Sequence, residues 1–244
     1  EVTSTCILKA CGSIRAIDYG QEVHDKISSR GMLLKNIVLG NALVDMYAKC
    51  GGLGKAWEVL IELRVRNVVT WSTLIAGYTQ LGECREALNY FEQMLSEGFC
   101  PDVITFIFML RTCGNMMAIG KGKKIHASIV SSGLLEKDIV LATALVDMYS
   151  KCGVPAKAQQ ILEELPVRNS FIWSALIGGY TQQRQDHEAL HCFERMQSEG
   201  MSPDAVTYTC ALKACGNIGY MDKGQKLHDE ISVIGLLGKD LVVG

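Results

Sequence analysis

The stretch NALVDMYAKCG at residues 41–51 returns as TALVDMYSKCG at residues 143–153, an offset of 102. WSTLIAGYTQ at 71–80 returns at the same offset as WSALIGGYTQ at 173–182. LKACG occurs at 8–12 and again at 212–216, two periods apart, with LRTCG at 110–114 between them. A chain that repeats itself at a fixed period is built from stacked copies of one supersecondary unit, so the period constrains the fold before any single motif does.

The 102-residue block divides into units of 31, 35 and 36 residues: 37–67, 68–102 and 103–138. The next block gives 139–169, 170–204 and 205–240. Residues 1–36 make an earlier 36-residue unit, and 241–244 open another short one. Each unit reads as two helices joined by a turn. In 68–102, Leu74, Ile75 and Tyr78 share one helical face, and Ala87, Leu88, Phe91 and Met94 share another. Thr70 suits an N-cap, Gly82 a turn, and Gly98 with Pro101 a stop. One such pair cannot bury its apolar face alone, whereas stacked pairs form a continuous core. The expected fold is all-α, a right-handed superhelical solenoid of helix-turn-helix repeats, with no domain boundary inside it.

Composition fits this architecture and narrows the chemistry. Hydrophobic residues make up 48% of the 244, enough for a large buried surface, and no apolar run reaches the ~18 residues of a membrane helix. A formal net charge of −2 implies no diffuse positive field to hold a polyanion, so a nucleic-acid partner would be selected by local side chains. Ten cysteines without C-x-x-C pairs read as buried free thiols rather than disulfides or a zinc site. No signal or transit peptide is visible at Glu1.

The array resembles the pentatricopeptide repeat family, and within it the plant PLS subclass. The residues that carry the resemblance are VVTWSTLIAGYTQLGECREALNYFEQMLSEGFCPD at 68–102 as a P unit, the GKKIH-containing 103–138 as an L unit, and IVLATALVDMYSKCGVPAKAQQILEELPVRN at 139–169 as an S unit. The resemblance covers the whole chain in the order L-S-P-L-S-P-L. It implies single-stranded RNA binding, one base per unit, with the fifth and last residues of a unit reading the base and the second clamping it. The array runs N to C along RNA running 5′ to 3′. Carried onto this sequence, the reading pairs are Asn41 with Asn67 for a pyrimidine, Ser72 with Asp102 for guanine, Thr143 with Asn169 for adenine, and Ser174 with Asp204 for guanine. Val38, Val69, Val140 and Phe171 fall at the clamping place. In the L units the corresponding pairs are Thr5 with Asn36, Ile107 with Asp138, and Thr209 with Asp240, and Ile107 has no group to read with. The implied core is pyrimidine-G-N-A-G over units 37–204.

The resemblance further implies a site-recognition role in an organellar RNA-processing or C-to-U RNA-editing factor of a mitochondrion or chloroplast, without a deaminase signature in this stretch and without a cofactor. Accessory proteins of the organellar RNA-editing factor kind are implied partners on the L units. Uncapped solenoid ends make self-association a further expectation. Lys49 and Lys151, at matching places after the first helix of each S unit, are candidates for phosphate contact or for a helix C-terminus.

Two rival readings come from the residues alone. The same concave surface of a helical array could take a protein or peptide. The HEALH stretch at 187–191 matches the zinc-hydrolase signature, in which two histidines one turn apart bind a metal. One period earlier the same five places read REALN, and Glu194 stands where the extended signature needs glycine, so no metal is expected there. His24, His126 and His228, also one period apart, read as packing residues, as do Cys11, Cys113, Cys215, Cys50 and Cys152.

Overall fold

The computed structural model describes residues 2–33, 36–135 and 138–234. Asp240 and the unit expected to open at 241 lie outside these residues. The described residues form fourteen α-helices and no strand. First helices of the successive pairs are α1 (Val2–Ile14), α3 (Ile37–Lys49), α5 (Val68–Gln80), α7 (Val103–Asn115), α9 (Ile139–Lys151), α11 (Ser170–Gln182) and α13 (Ala205–Ile218). Second helices are α2 (Ile17–Ser29), α4 (Leu53–Glu62), α6 (Cys84–Ser96), α8 (Ile119–Ser131), α10 (Pro155–Glu164), α12 (Asp186–Ser198) and α14 (Met221–Ile234). The class is the all-α one expected. The packing falls into two compact units, one ending at Thr112 and one starting at Cys113.

In the first compact unit α3 packs on α1, α4 and α5, and in the second α11 packs on α9, α12 and α13. The first helices are apolar on most of their circumference because they sit between their own partner and the neighbouring pairs. Trp71, Leu74, Ile75 and Tyr78 of α5 are buried, and so are Trp173, Leu176, Ile177 and Tyr180 of α11. The second helices bury one stripe only, as with Ala87, Leu88, Phe91 and Met94 of α6. Gly82 and Gly98 both adopt φ +82, the left-handed conformation that lets the chain turn out of α5 and α6.

Close approach of first helices requires a missing side chain at one place per pair. A Cβ on Gly77 would lie 2.7 Å from the Ala48 Cβ, and one on Gly179 would lie 2.5 Å from the Ser150 Cβ. The 31-residue units have a shorter second helix, ten residues in α4 and α10 against thirteen in α6. An arginine closes the difference. Arg66 Nε donates to the Leu60 carbonyl at 3.1 Å, satisfying a helix-end acceptor, while its Nη1 pairs with Glu97 at 2.9 Å. Arg168 repeats both contacts, at 3.0 Å to Leu162 and 2.9 Å to Glu199.

These contacts separate two glycines of one composition. Gly77→Val should destabilise the protein by about 1–3 kcal/mol through overpacking against Ala48. Gly54 lies inside α4 with no heavy atom within 4 Å of a built Cβ, so Gly54→Ala should stabilise by about 0.5–1 kcal/mol. Thermal unfolding followed by circular dichroism checks both, and equal shifts would remove the close-approach argument.

Candidate nucleic-acid interface

Among the described residues, the residue that ends a unit caps the next unit's first helix. Asn36 accepts from the Val38 and Leu39 amides, Asp138 from Val140 and Leu141, Asn67 from Thr70, Asn169 from Ile172, and Asp204 from Thr207. Asp102 likewise accepts from the Thr105 amide at 2.8 Å. Asn and Asp are placed there because a short side-chain oxygen can satisfy an otherwise orphaned helix N–H. Thr70, expected to be a cap, is instead the third helical residue of a capping box whose cap is Asn67. Both are short polar side chains near the helix start, and their spacing alone does not separate the two roles.

The fifth residue of each unit comes to the same place from the previous first helix. Ser72 Oγ lies 3.1 Å from Asp102 Oδ1 and 2.6 Å from Thr105 Oγ1. Asn41 Oδ1 accepts from Thr70 Oγ1 at 2.6 Å, and the same hydroxyl lies 2.8 Å from Asn67 Oδ1. Ser174 Oγ lies 2.6 Å from Thr207 Oγ1, which lies 2.6 Å from Asp204 Oδ1. The structure therefore brings together three of the four fifth-and-last pairs of the 31- and 35-residue units through a threonine of the following unit. The fourth is different: Ile172 stands at the threonine's place, and Thr143 Oγ1 donates to the Ile139 carbonyl at 2.7 Å.

The bonds decide what each pair leaves free. With Oδ1 used, Asn41 and Asn67 retain amide N–H groups that bond to no described residue, so this pair offers donors. Asp102 and Asp204 retain Oδ2, an acceptor. The Ser72 and Ser174 hydroxyls have neighbouring acceptors for their one proton, which leaves lone pairs. Thr143 is similarly an acceptor, and Asn169, with Oδ1 on the Ile172 amide, keeps its donors.

Apolar side chains flank these pairs. Val38 is 58% exposed, Val69 52%, Val140 58% and Phe171 67%, values unusual for apolar side chains on packed helices. Ile104 and Val206 occupy the same second place in their units and are 55% and 64% exposed, two residues the sequence assignment omitted although their position in the unit was visible. Between α3, α5 and the start of α7, Val69 and Ile104 line a groove of about 180 Å³ with Ser72, Asp102, Asp45 and Lys49. Lys49 pairs with Asp45 and Lys151 with Asp147, both at 2.7 Å and one helical turn apart. Such exposed pairs are weak, so either lysine can turn toward a phosphate at little cost.

Thr5 and Ile107 are half-buried on α1 and α7, and Thr209 Oγ1 donates to the Ala205 carbonyl. His187, Glu188 and His191 lie on the exposed side of α12, and the His187 ring packs edge-on against Tyr220. Among the described residues no three His, Cys, Asp or Glu side chains are placed to hold a metal ion. His24 and His126 each meet a tyrosine hydroxyl at 2.9 Å, on Tyr47 and Tyr149, and burial lowers the pKa of both. Cys11, Cys113 and Cys215 are buried and in no disulfide, and no described helix is long and apolar enough to cross a membrane.

Stacked helix pairs with a cap-linked polar edge and an exposed apolar stripe define a helical-repeat protein. Models of the PPR repeat family match residues 66–115 and 168–217, and a model of the PPR repeat matches 41–68, 140–170 and 206–236. The chain belongs to the pentatricopeptide repeat family. It is 36% identical over 231 residues to the Arabidopsis thaliana pentatricopeptide repeat-containing protein At5g27110, covering 95% of this chain and 33% of that one. It is 35% identical over 228 residues to At4g18520, named chloroplastic, covering 93% and 37% respectively. The chain thus spans about a third of the length of these relatives. The structure of PPR10 in complex with an 18-nt psaJ RNA element superposes with a TM-score of 0.69 at 18% identity, over 91% of this chain and 33% of that one, a likeness of fold.

The cap role has its own test. Asn67→Ala should lower unfolding free energy by about 1 kcal/mol, while Asn67→Asp, which keeps the acceptor, should leave it nearly unchanged. Urea unfolding of the three proteins measures this, and an alanine variant as stable as the parent would show that Asn67 does not cap α5.

Proposed function

We propose that this array binds single-stranded RNA and reads one base per unit through the fifth and last residues of its P and S units. The observation that carries this is the free hydrogen-bonding set at each pair. The acceptors of Ser72 and Asp102, and of Ser174 and Asp204, complement guanine, whose N1–H and N2–H₂ are adjacent donors on its Watson–Crick edge. The donors of Asn41 and Asn67 complement a pyrimidine, which offers ring carbonyl acceptors. The acceptor of Thr143 with the donor of Asn169 complements adenine. Val38, Val69, Val140 and Phe171 are exposed beside the pairs where base faces would rest, and stacking on Phe171 would contribute about 1–3 kcal/mol. The family membership and the RNA-bound PPR10 of like fold support the same ligand class.

The assignment is of a PLS-type array that selects the site for an organellar RNA-processing or editing factor. The chloroplastic relative supports an organelle, chloroplast or mitochondrion, and accessory proteins would sit on the L units. Lys49 and Lys151 are assigned to the RNA backbone. The unit of Ile107 and Asp138 is assigned no base, since Ile107 has no polar group to read with.

Fluorescence anisotropy with a short RNA carrying C-G-N-A-G, and with copies changed one base at a time, tests this. Replacing either guanine should weaken binding by about 1–3 kcal/mol. Equal affinity for every copy, or none for any, would contradict base reading. Thr143→Asn combined with Asn169→Asp should move the preference at that base from adenine toward uracil, because donor and acceptor exchange places. An unchanged profile would reject the pair's assignment.

A further inference from the structure

Three of the four reading pairs share a feature that neither the fifth nor the last residue supplies. The third residue of the next unit places a hydroxyl between them: Thr70 for Asn41 and Asn67, Thr105 for Ser72 and Asp102, and Thr207 for Ser174 and Asp204. All three threonines are fully buried, at 0% exposure, so they cannot themselves touch a base. Their protons and lone pairs are nevertheless committed to groups that can.

At Thr105 the hydroxyl adds no polarity that the pair lacks. Asp102 is an acceptor whatever its neighbours do, with Oδ1 held by the Thr105 amide at 2.8 Å. Ser72 has one proton and a carbonyl acceptor in its own helix, Val68 at 2.7 Å, besides Thr105 Oγ1 at 2.6 Å. Either choice leaves Ser72 and Asp102 with lone pairs to offer. Ser174 has the same choice between the Ser170 carbonyl at 2.9 Å and Thr207 Oγ1 at 2.6 Å.

At Thr70 the hydroxyl has a consequence. It donates its one proton to Asn41 Oδ1 at 2.6 Å, with Asn67 Oδ1 the longer alternative at 2.8 Å, and an amide oxygen so held leaves its N–H groups for the groove. Asn67 is held in any case by the Thr70 amide at 2.9 Å. Asn41 bonds to no other described residue, so Thr70 alone keeps its amide from turning over and presenting an acceptor. Thr143, Ser72 and Ser174 by contrast each find an acceptor within their own helix and need no bridge.

We propose that Thr70 is a specificity-determining positioning residue: it sets the hydrogen-bond polarity of the base-reading pair Asn41 and Asn67 in the preceding unit. The proposal rests on the base-reading function above. The specificity of that unit then depends on three residues, one of them inside the next unit, and exchanging only the fifth and last residues transfers it incompletely.

The test uses the whole chain and single-base RNA series at two places, the base facing Asn41 and Asn67 and the base facing Ser72 and Asp102. Thr70→Val should reduce the preference for pyrimidine over purine at the first by about fivefold, the worth of one net hydrogen bond, and leave guanine selection at the second unchanged. Thr105→Val should leave both ratios unchanged, since Ser72 keeps the Val68 carbonyl. Thr70→Ser, which keeps the hydroxyl, should restore the parent ratio. A merely structural role would weaken all RNAs together without changing either ratio, and that result overturns the proposal. Should Thr70→Val fail to fold, Thr70→Ala makes the same test at the same base. A parent protein with no base preference at either place would instead remove the base-reading function itself, and the proposal with it.

Discussion

The bond from a unit's last side chain to the first free amide of the next helix is the contact on which the rest depends. Asn67, Asp102, Asn169 and Asp204 each commit one oxygen to it. That bond starts the next helix, fixes where one unit ends, and leaves the second atom of the same carboxyl or amide group facing outward. Asn and Asp serve equally as caps, yet the outward atom is a donor in one and an acceptor in the other. In the proposed base reading, recognition can therefore change from unit to unit while the helix start stays satisfied.

The remaining packing keeps successive edges in register. Gly77 against Ala48 and Gly179 against Ser150 allow first helices to approach closely, which carries the fifth residue of one unit to the cap of the next. Arg66 and Arg168 close the shortened second helices and tie them to Glu97 and Glu199. The 31-residue units thus reach the same edge with fewer residues, since a guanidinium takes over helix-end carbonyls that a longer helix would bury.

Much of this was legible in the letters. The 3.6-residue spacing of Leu74, Ile75 and Tyr78 gave the buried face because burial is decided by side chains whose place on a helix is fixed by number. The HEALH stretch was separable from a metal site by its period, since it shares only Glu188, Ala189 and Leu190 with REALN and both histidines fall at the places that vary. Less legible was Thr70, whose hydroxyl joins a capping box rather than capping, because the distinction depends on backbone conformation at Asn67. Ile104 and Val206 were passed over because clamping was carried only onto P and S units, though exposure of apolar side chains is the same there. The bridging role of Thr105 and Thr207 lies in contacts across 33 residues, which no local pattern records.

The claim that the capped pairs read bases in order is tested most directly by selection from a pool of random single-stranded RNA. The bound fraction should become enriched in pyrimidine-G-N-A-G, read 5′ to 3′ and contiguous, with the third base unselected because Ile107 offers it nothing. A bound fraction with the composition of the starting pool, or one enriched in a motif lacking both guanines, would contradict the account.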